Sequence, residues 1–246
     1  MGLMRSPYHF IFGIHPIIEL LRAKRRTVHK IYTTDPRPKS FSSIQALLPR
    51  HVEVATVPRT KLTEIAESPD HQNIVAAVGA FPVRSTCFKP EQHPSVILLD
   101  GVQDPRNVGA IIRSAYCTGF TGVIIPAKQS APLSGTVIKA AAGLTERLDI
   151  YQPPSSAVAM LELKKMGYHF YIAHLDGTDA RSVDYQKPLC LVIGNEAVGV
   201  SDTIKTQGVG ITIPQRMPDV SYNASVAAGI LLFLISSHLR NNGFSS

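Results

Sequence analysis

The sequence predicts an α/β protein with a parallel sheet, preceded by a smaller mixed α/β domain. From residue 95 onward, short apolar runs alternate with segments of helical periodicity, a pattern typical of parallel strands joined by crossover helices. Residues 84–94 are rich in proline and polar residues and show no periodicity, which is typical of a linker. We therefore expect a first domain over 1–83, a linker over 84–94 and a second domain over 95–246.

Local patterns predict the elements of the first domain in order. Pro16 stands at the start of an amphipathic segment, and proline is tolerated in the first turn of a helix. Apolar alternation and helical spacing then predict strands over 28–33, 52–57 and 74–81, with helices over 42–48 and 61–67.

In the second domain, apolar runs predict the strands, and polar or glycine-containing turns separate them from the helices. The predicted strands are 96–99, 122–125, 147–150, 168–173, 189–193 and 210–213, and the predicted helices are 107–118, 136–142, 156–166 and 222–239. The last helix is apolar nearly all round from Val226 to Ile235, so we expect it to be buried, either within the chain or against a second subunit.

Composition excludes several classes of protein. A chain of 246 residues with 44% hydrophobic and 17% charged residues can form a sizeable core. The three cysteines lie far apart and form no Cys/His cluster, so we expect no metal site and no disulfide frame. The N-terminus lacks an apolar signal core and the longest apolar run is about half of a bilayer span, so we expect a cytoplasmic protein without a membrane partner.

The positive charge is concentrated near the N-terminus. Residues 1–83 hold 11 Lys/Arg and 6 Asp/Glu, whereas residues 84–246 hold 14 and 12. A basic module beside a nearly neutral domain is typical of a part that grips nucleic acid and is attached to a catalytic part, although solvated surface charges give the same count. The densest cluster, and the predicted RNA-binding set of this domain, is Arg22, Lys24, Arg25 and Arg26.

Polar residues follow the apolar strands of the second domain. In 100-DGVQDPRNVGAIIRSAYCTGF-120, Asn107 falls at the predicted start of a helix and Arg113 lies nearly two turns later. Open α/β sheets place their sites at the carboxyl ends of strands, so a guanidinium there indicates an anionic substrate. The alternative is a helix start that carries one solvated arginine.

Two further segments have the same arrangement. In 190-CLVIGNEAVGVS-201, a strand runs into glycines that allow close approach of a ligand, and Glu196 either organises this loop or meets Arg113. In 211-ITIPQRMPDVSYNASVAAGILLF-233, Ser221 and Asn223 stand at the start of the final helix. One of them is explained by helix capping, but together with Ser225 they exceed what a cap needs. No GxGxxG fingerprint or P-loop occurs, which disfavours a nicotinamide-dependent enzyme.

Taken together, NVGAIIRSA, LVIGNEAVGVS and ITIP followed by SYNASVAAGI resemble the SpoU-type (TrmH-like) methyltransferases of the SPOUT superfamily. FGIHPIIELL and HQNIVA resemble the small ribosomal-protein-L30-like domain of the ribosomal RNA branch. The resemblance is strongest to the 23S rRNA guanosine 2′-O-methyltransferase subfamily.

The resemblance implies a C-terminal trefoil knot, S-adenosyl-L-methionine as cofactor, RNA as substrate and a homodimer formed through the knot region. The implied cofactor-binding residues are Leu191, Gly194, Asn195, Ile213, Tyr222, Asn223 and Ala224. The implied catalytic residues are Arg113, Asn107, Glu196, Ser221 and Asn223, and Arg113 is also expected to contact RNA.

The chain departs from the family pattern at a few positions. Tyr222 and Ala224 replace the usual leucine and valine, and Gln215 replaces the methionine that follows Ile-Pro. Asn73 replaces glycine in the HQGI motif, and asparagine is among the residues that best tolerate a positive φ. Because the polar site residues are retained, we expect an active enzyme.

The family assigns Arg113 to the ribose 2′-hydroxyl, often as the base. A guanidinium has a pKa above about 12 and rarely loses its proton, so we favour a clamp that binds the adjacent phosphate and stabilises the developing alkoxide. Two alternatives stay open: a tRNA ribose 2′-O-methyltransferase, and a non-catalytic RNA-binding or ribosome-assembly protein on the same scaffold.

Overall fold

The protein is described by a computed structural model that covers residues 8–217 and 221–241. The described chain divides into two compact units. The first comprises the described residues up to Pro82 together with Leu133–Arg147, and the second comprises Val83–Pro132 and the described residues from Leu148 onward.

The first unit contains a four-stranded sheet with helices on both faces. Its elements are β1 (His9–Phe12), α1 (Ile14–Ala23), β2 (Val28–Thr33), α2 (Phe41–Gln45), β3 (Glu53–Thr56), α3 (Arg59–Ala66) and β4 (Ile74–Val78). The strand order is β1-β4-β2-β3, with β4 antiparallel to β1 and β2, and β3 parallel to β2. Apolar residues on one face pack with α1 and α2, whereas Phe12 and Val75 on the other face pack with Leu62 of α3.

The second unit is built on a six-stranded sheet in which every pairing is parallel, as the alternating pattern predicted. Its strand order is β10-β8-β9-β5-β6-β7. The remaining elements in chain order are β5 (Ser95–Asp100), α4 (Pro105–Cys117), β6 (Gly122–Ile124), α5 (Gly135–Ala140), β7 (Asp149–Tyr151), α6 (Ser156–Lys165), β8 (His169–Asp179), β9 (Leu189–Gly194), α7 (Asp202–Lys205), β10 (Val209–Thr212) and α8 (Ala224–Asn241). Of these, α5 belongs to the first unit.

The segment Leu133–Arg147, which the sequence placed in the second domain, packs within the first unit. Ile138 of α5 joins the core cluster of α1 and α2, and a Cβ on Gly135 would meet the carbonyl oxygen of Phe10 at 2.8 Å. An inserted helix cannot be assigned to a domain from its own periodicity, because that periodicity shows which face is buried and not against what.

The predicted linker over 84–94 is packed into the second unit. Phe88 is fully buried in the core of that unit, and the Arg84 side chain donates a hydrogen bond to Asp149 at 2.8 Å. The proline-rich composition therefore marks an irregular but ordered segment rather than a free connection.

The final helix, α8, packs against α4 and β9. By length and hydropathy it would also be able to cross a membrane, a property that buried core helices share. Ala228, Leu231, Leu232 and Ile235 are buried, whereas Phe233 remains 64% exposed. Within one chain, therefore, only one side of this apolar helix is covered.

Candidate functional site

A cavity of about 320 Å³ lies at the carboxyl ends of β9 and β10, against the middle of β8 and next to the start of α8. Its volume is within the usual range for small-molecule sites, roughly 300–1,000 Å³. The position agrees with the rule that open α/β sheets bind ligands beyond the carboxyl ends of their strands.

Five of the predicted cofactor residues line this cavity: Gly194, Asn195, Ile213, Tyr222 and Ala224. The predicted catalytic residues Glu196 and Ser221 line it as well.

Leu191 does not line the cavity, so its part in cofactor binding stays a prediction. It is fully buried in the middle of β9, between β5 and β8. The strand reaches the cavity two residues later, at Ile193.

The loop after β9 is a tight closed turn. The backbone amides of Asn195 and Gly199 donate to each other's carbonyl oxygens at 3.0 and 2.9 Å. A Cβ on Gly194 would collide with the backbone of Gly199 and Val200, and Gly199 has a φ of +70°. The glycines seen in the sequence therefore serve to fold the loop back on itself.

Side chains tie this loop to the end of β5. Asn195 donates its side-chain N–H to the carbonyl oxygen of Gly101 at 2.8 Å. The Asp100 carboxylate accepts from the backbone amide of Ser201 at 2.9 Å and from the hydroxyl of Ser156 at 2.6 Å. The loop that lines the cavity is thus fixed relative to the segment leading into α4.

The third tie joins the loop to α4 itself. Asn107 is buried in the first turn of α4, and its Nδ2 donates to Oε1 of Glu196 at 2.6 Å. The same helix is capped by Asp104, whose side chain accepts from the amide of Arg106. The sequence left two roles for Glu196, which were organising this loop and contacting Arg113. The contact observed is with Asn107, and it holds the loop against α4.

Arg113 lies on the same helix, nearly two turns after Asn107, and its side chain is exposed. It forms neither an ion pair nor a hydrogen bond with any residue in the described part of the chain, and it does not line the cavity. Asn107 and Arg113 are therefore linked through the helix and not by direct contact. A free guanidinium held on a rigid helix is available to an anion from solution.

At the start of α8, Asn223 acts as a helix cap. Its Oδ1 accepts from the backbone amide and the hydroxyl of Ser225, at 2.9 and 2.6 Å. Asn223 does not line the cavity, so the contribution that the structure shows for it is to fix the helix start. Residues 218–220, which lead into this turn, lie outside the described residues.

Sequence patterns did not identify the residues of β8 that form part of the cavity wall. Ala173, His174, Leu175 and Asp176 line the cavity, and so does Lys205 of α7. Strand β8 was predicted to end at residue 173 because its apolar run ends there, but it continues to Asp179 through half-buried and exposed residues. A Cβ on Gly210 of β10 would meet the ring of His174, so a larger residue there would require that side chain to move.

The predicted RNA-binding cluster is only partly at the surface. Lys24 and Arg25 are exposed, and so is Arg22, which pairs with Glu19 at 3.0 Å. Arg26 is corrected: its side chain is 1% exposed, pairs with Glu146 at 3.1 Å and donates to the carbonyl oxygen of Gly79. It is not available to a phosphate.

Replacing Asn107 by aspartate should disrupt the tie between α4 and the cavity loop. The change places a carboxylate 2.6 Å from that of Glu196, so we expect cofactor affinity to fall by about tenfold or more. The double variant Asn107→Asp/Glu196→Gln restores a donor–acceptor pair and should recover part of the affinity. Calorimetric titration with S-adenosylhomocysteine measures both, and equal losses in the single and double variants would contradict this role.

Two protein-family models match this chain. Residues 94–233 match the model of the SpoU rRNA Methylase family, and residues 10–83 match a domain described as RNA 2′-O ribose methyltransferase substrate binding. In the part of the chain that the structure describes, no group of His, Cys, Asp and Glu side chains is placed to hold a metal ion.

Relatives cover nearly the whole chain. A protein of Staphylococcus haemolyticus named as a TrmH-family tRNA/rRNA methyltransferase is 33% identical over 91% of this chain and 93% of its own length. A Bacillus subtilis protein with the same family name is 28% identical over 94% of this chain and 96% of its own.

Solved structures share the fold. The SpoU methyltransferase AviRb of Streptomyces viridochromogenes superimposes with a TM-score of 0.80 at 21% identity, over 97% of this chain and 92% of its own. An AdoMet-bound rRNA methyltransferase of Sinorhizobium meliloti gives a TM-score of 0.76 at 24% identity, over 95% of this chain and 88% of its own.

Proposed function

Because the chain belongs to the SpoU family of RNA methyltransferases, we propose that it transfers a methyl group from S-adenosyl-L-methionine to a ribose 2′-hydroxyl of RNA. The observation that carries the proposal is the cavity at the carboxyl ends of β9 and β10, whose loop is tied to the helix that presents Arg113.

The cavity fits the cofactor in size and chemistry. Its walls combine apolar side chains such as Ile193 and Leu231 with polar groups from Asn195 and Thr212. This mixture suits an adenosine group, which has both a flat apolar ring and polar edges. The residues proposed to hold the cofactor are Gly194, Asn195, Ile213, Tyr222 and Ala224.

Bound there, S-adenosylmethionine supplies a methyl group on a positively charged sulfur, which is already reactive towards an oxygen. The protein must therefore align the hydroxyl and support the loss of its proton, which passes to solvent water as the methyl group leaves the sulfur. Orientation alone can contribute about 7–11 kcal/mol to such a reaction. The ties through Asp100, Asn107 and Asn195 supply the rigidity that this orientation needs.

Arg113 is proposed to bind the phosphate next to the target ribose and to stabilise negative charge on the 2′-oxygen. Its guanidinium stays protonated and offers several N–H donors in one plane, so it acts as an electrostatic clamp rather than as a base. The absence of a partner for Arg113 among the described residues supports this role.

For the substrate we propose a guanosine of 23S rRNA, with tRNA as the alternative. The N-terminal match to a substrate-binding domain favours a large structured RNA, whereas the names of the relatives include both RNA classes. Methylation of the two RNAs by the purified protein, followed by mapping of the modified nucleotide, distinguishes them.

The proposal includes three further expectations from the family resemblance. These are the C-terminal trefoil knot, a homodimer through the knot region and a cytoplasmic location. The exposed side of α8, which carries Val226 and Phe233, supports the dimer because a second copy would cover it. Sedimentation equilibrium tests this arrangement, and Phe233→Glu should shift the protein towards the monomer.

The first experiment is titration of the protein with S-adenosylhomocysteine, followed by an assay of methyl transfer to ribosomal RNA fragments. Saturable binding near one per subunit together with 2′-O-methylation supports the proposal. Binding without methyl transfer to any RNA would overturn it.

Neutralising Arg25 should weaken the dependence of RNA binding on salt. If its guanidinium contacts one phosphate, the log–log slope of affinity against salt falls by about one unit in Arg25→Gln. Lys164→Gln is the matched control, because Lys164 is an exposed cation at the end of α6 in the second unit. Equal slopes for Arg25→Gln and wild type would place the phosphate contacts elsewhere.

A further inference from the structure

Aromatic side chains are exposed at one end of the sheet in the first unit. The rings of Tyr8 and His29 lie 4.7 Å apart between centroids, and Tyr8 is 43% exposed. Phe10, the next residue of β1 on the same side as Tyr8, is half-buried, whereas Tyr32 is level with Phe12 at the covered end, since both pair with Val75. We call Tyr8, Phe10 and His29 the ring patch.

Strand direction places these residues together. Because β1 and β2 are both antiparallel to β4, they run in the same direction, and Tyr8 and His29 stand at their starts. Phe10 on β1 and Lys30 on β2 both pair with Ala77 of β4. The patch therefore spans the sheet from its edge strand to its middle.

Helix α3 covers the far end of this sheet face and leaves the near end open. Phe12 is 2% exposed in the cluster that contains Leu62 of α3, whereas Phe10 is only partly buried and Tyr8 is largely exposed. Burial thus falls steadily along β1 towards the ring patch.

Charge around the patch is arranged in two parts. Lys30 lies over the ring of Tyr32 at 5.6 Å and is paired with Glu53 at 2.6 Å, so it adds little net charge. The exposed residues Arg22, Lys24 and Arg25 lie at the end of α1 and on the short connection that leads into β2 and His29. Arg22 is itself paired with Glu19 at 3.0 Å, so Lys24 and Arg25 are the exposed cations that remain close to His29 along the chain.

This combination fits an unpaired stretch of RNA better than a duplex. Unpaired bases stack on aromatic side chains while cations bind the phosphates, whereas bases in a duplex hide their faces against one another. An apolar peptide would not use the neighbouring cations.

We propose that the ring patch stacks unpaired bases of the RNA substrate, next to phosphates held by Lys24 and Arg25. The inference rests on the proposed function, because it names the single-stranded part of the substrate that the first unit recognises.

The test compares binding of the full chain to a fluorescent single-stranded oligoribonucleotide and to a duplex with the same sequence. Tyr8→Ala and His29→Ala should each weaken single-strand binding by about tenfold, with little change for the duplex. The salt slope in Tyr8→Ala should stay that of wild type, since no charge is removed. Tyr8→Phe should keep wild-type affinity because it keeps the ring.

Leu47→Ala is the matched control, since Leu47 is an exposed apolar residue of the same unit beyond the end of α2. Because the chain has no tryptophan, quenching of tyrosine emission by RNA can also be followed, and it should be smaller in Tyr8→Phe.

Unchanged single-strand affinity in Tyr8→Ala and His29→Ala would overturn the proposal, as would equal losses for both RNA forms. A change in oligomeric state without a change in RNA affinity would assign the rings to a protein contact and would also overturn it. Methyl transfer to ribosomal RNA by the wild type is measured separately, so failure of the ring patch does not imply failure of the proposed function.

Discussion

Replacing Arg113 by alanine is expected to slow methyl transfer by about 10²–10³-fold, the usual effect of removing one group that stabilises a developing oxyanion. Affinity for S-adenosylhomocysteine should stay unchanged, because Arg113 does not line the cavity. Stability should also change little, since the side chain is exposed and has no partner in the described part of the chain. Single-turnover rates at saturating cofactor measure the chemical step directly.

Arg106→Ala is the matched control for this prediction. Arg106 is an exposed arginine in the first turn of the same helix, and only its backbone amide takes part in the cap with Asp104. Arg113→Lys keeps the charge but loses the planar set of donors, so it should retain only part of the rate. Near-normal turnover in Arg113→Ala would end the assignment of Arg113 to the reaction.

The sequence predicted this site because its residues follow strands in order along the chain. Gly194, Asn195 and Glu196 come directly after an apolar run, and such positions can be recognised without knowing the strand order. The contact between Asn107 and Glu196 could not be predicted in the same way. It depends on β5 and β9 being neighbours in the sheet, although 89 residues separate the two side chains.

The burial of Arg26 and Leu191 could not be predicted from the local sequence. Arg26 belongs to a run of four basic residues within five positions, yet it points into the first unit where Glu146 meets it from 120 residues away. Leu191 lies in the correct strand but in its buried middle. Composition and motif spacing show which segment is involved, whereas depth in the fold is set by tertiary packing.

The second prediction with a large expected effect concerns the buried ion pair between Arg26 and Glu146. Arg26→Ala should lower the free energy of unfolding by about 3–5 kcal/mol, because it leaves Glu146 charged and without its partner in the interior. Both side chains are almost fully buried, and Oε2 of Glu146 already has no hydrogen-bond partner among the described residues. Urea unfolding followed by circular dichroism measures the change, with Lys164→Ala at an exposed position of the second unit as the control.

The double variant Arg26→Met/Glu146→Leu measures the net contribution of the ion pair to the free energy of unfolding. The single variant Arg26→Ala measures instead the cost of removing one charge and leaving the other buried. Burial lowers the pKa of Arg26 and raises the pKa of Glu146, against the effect that each charge has on the other. Desolvation therefore outweighs their attraction, so replacing both with apolar groups should be nearly neutral or stabilising. A double variant as unstable as Arg26→Ala would contradict this and would give the pair a net stabilising role.

The raised pKa of Glu146 also determines how the stability of the protein changes with pH. Because the folded pKa of Glu146 is raised above its ordinary value of 4.5, the folded state holds this proton more tightly than the unfolded chain. The contribution of Glu146 to stability is thus fully present below pH 4.5 and is lost as the pH rises through the folded pKa. The stability of the double variant relative to wild type should therefore increase as the pH rises above 4.5 and through the folded pKa, since only the wild type must ionise a buried carboxyl group over that range. If the stability difference between the double variant and wild type stayed constant over this range, Glu146 would ionise as easily in the folded protein as in the unfolded chain.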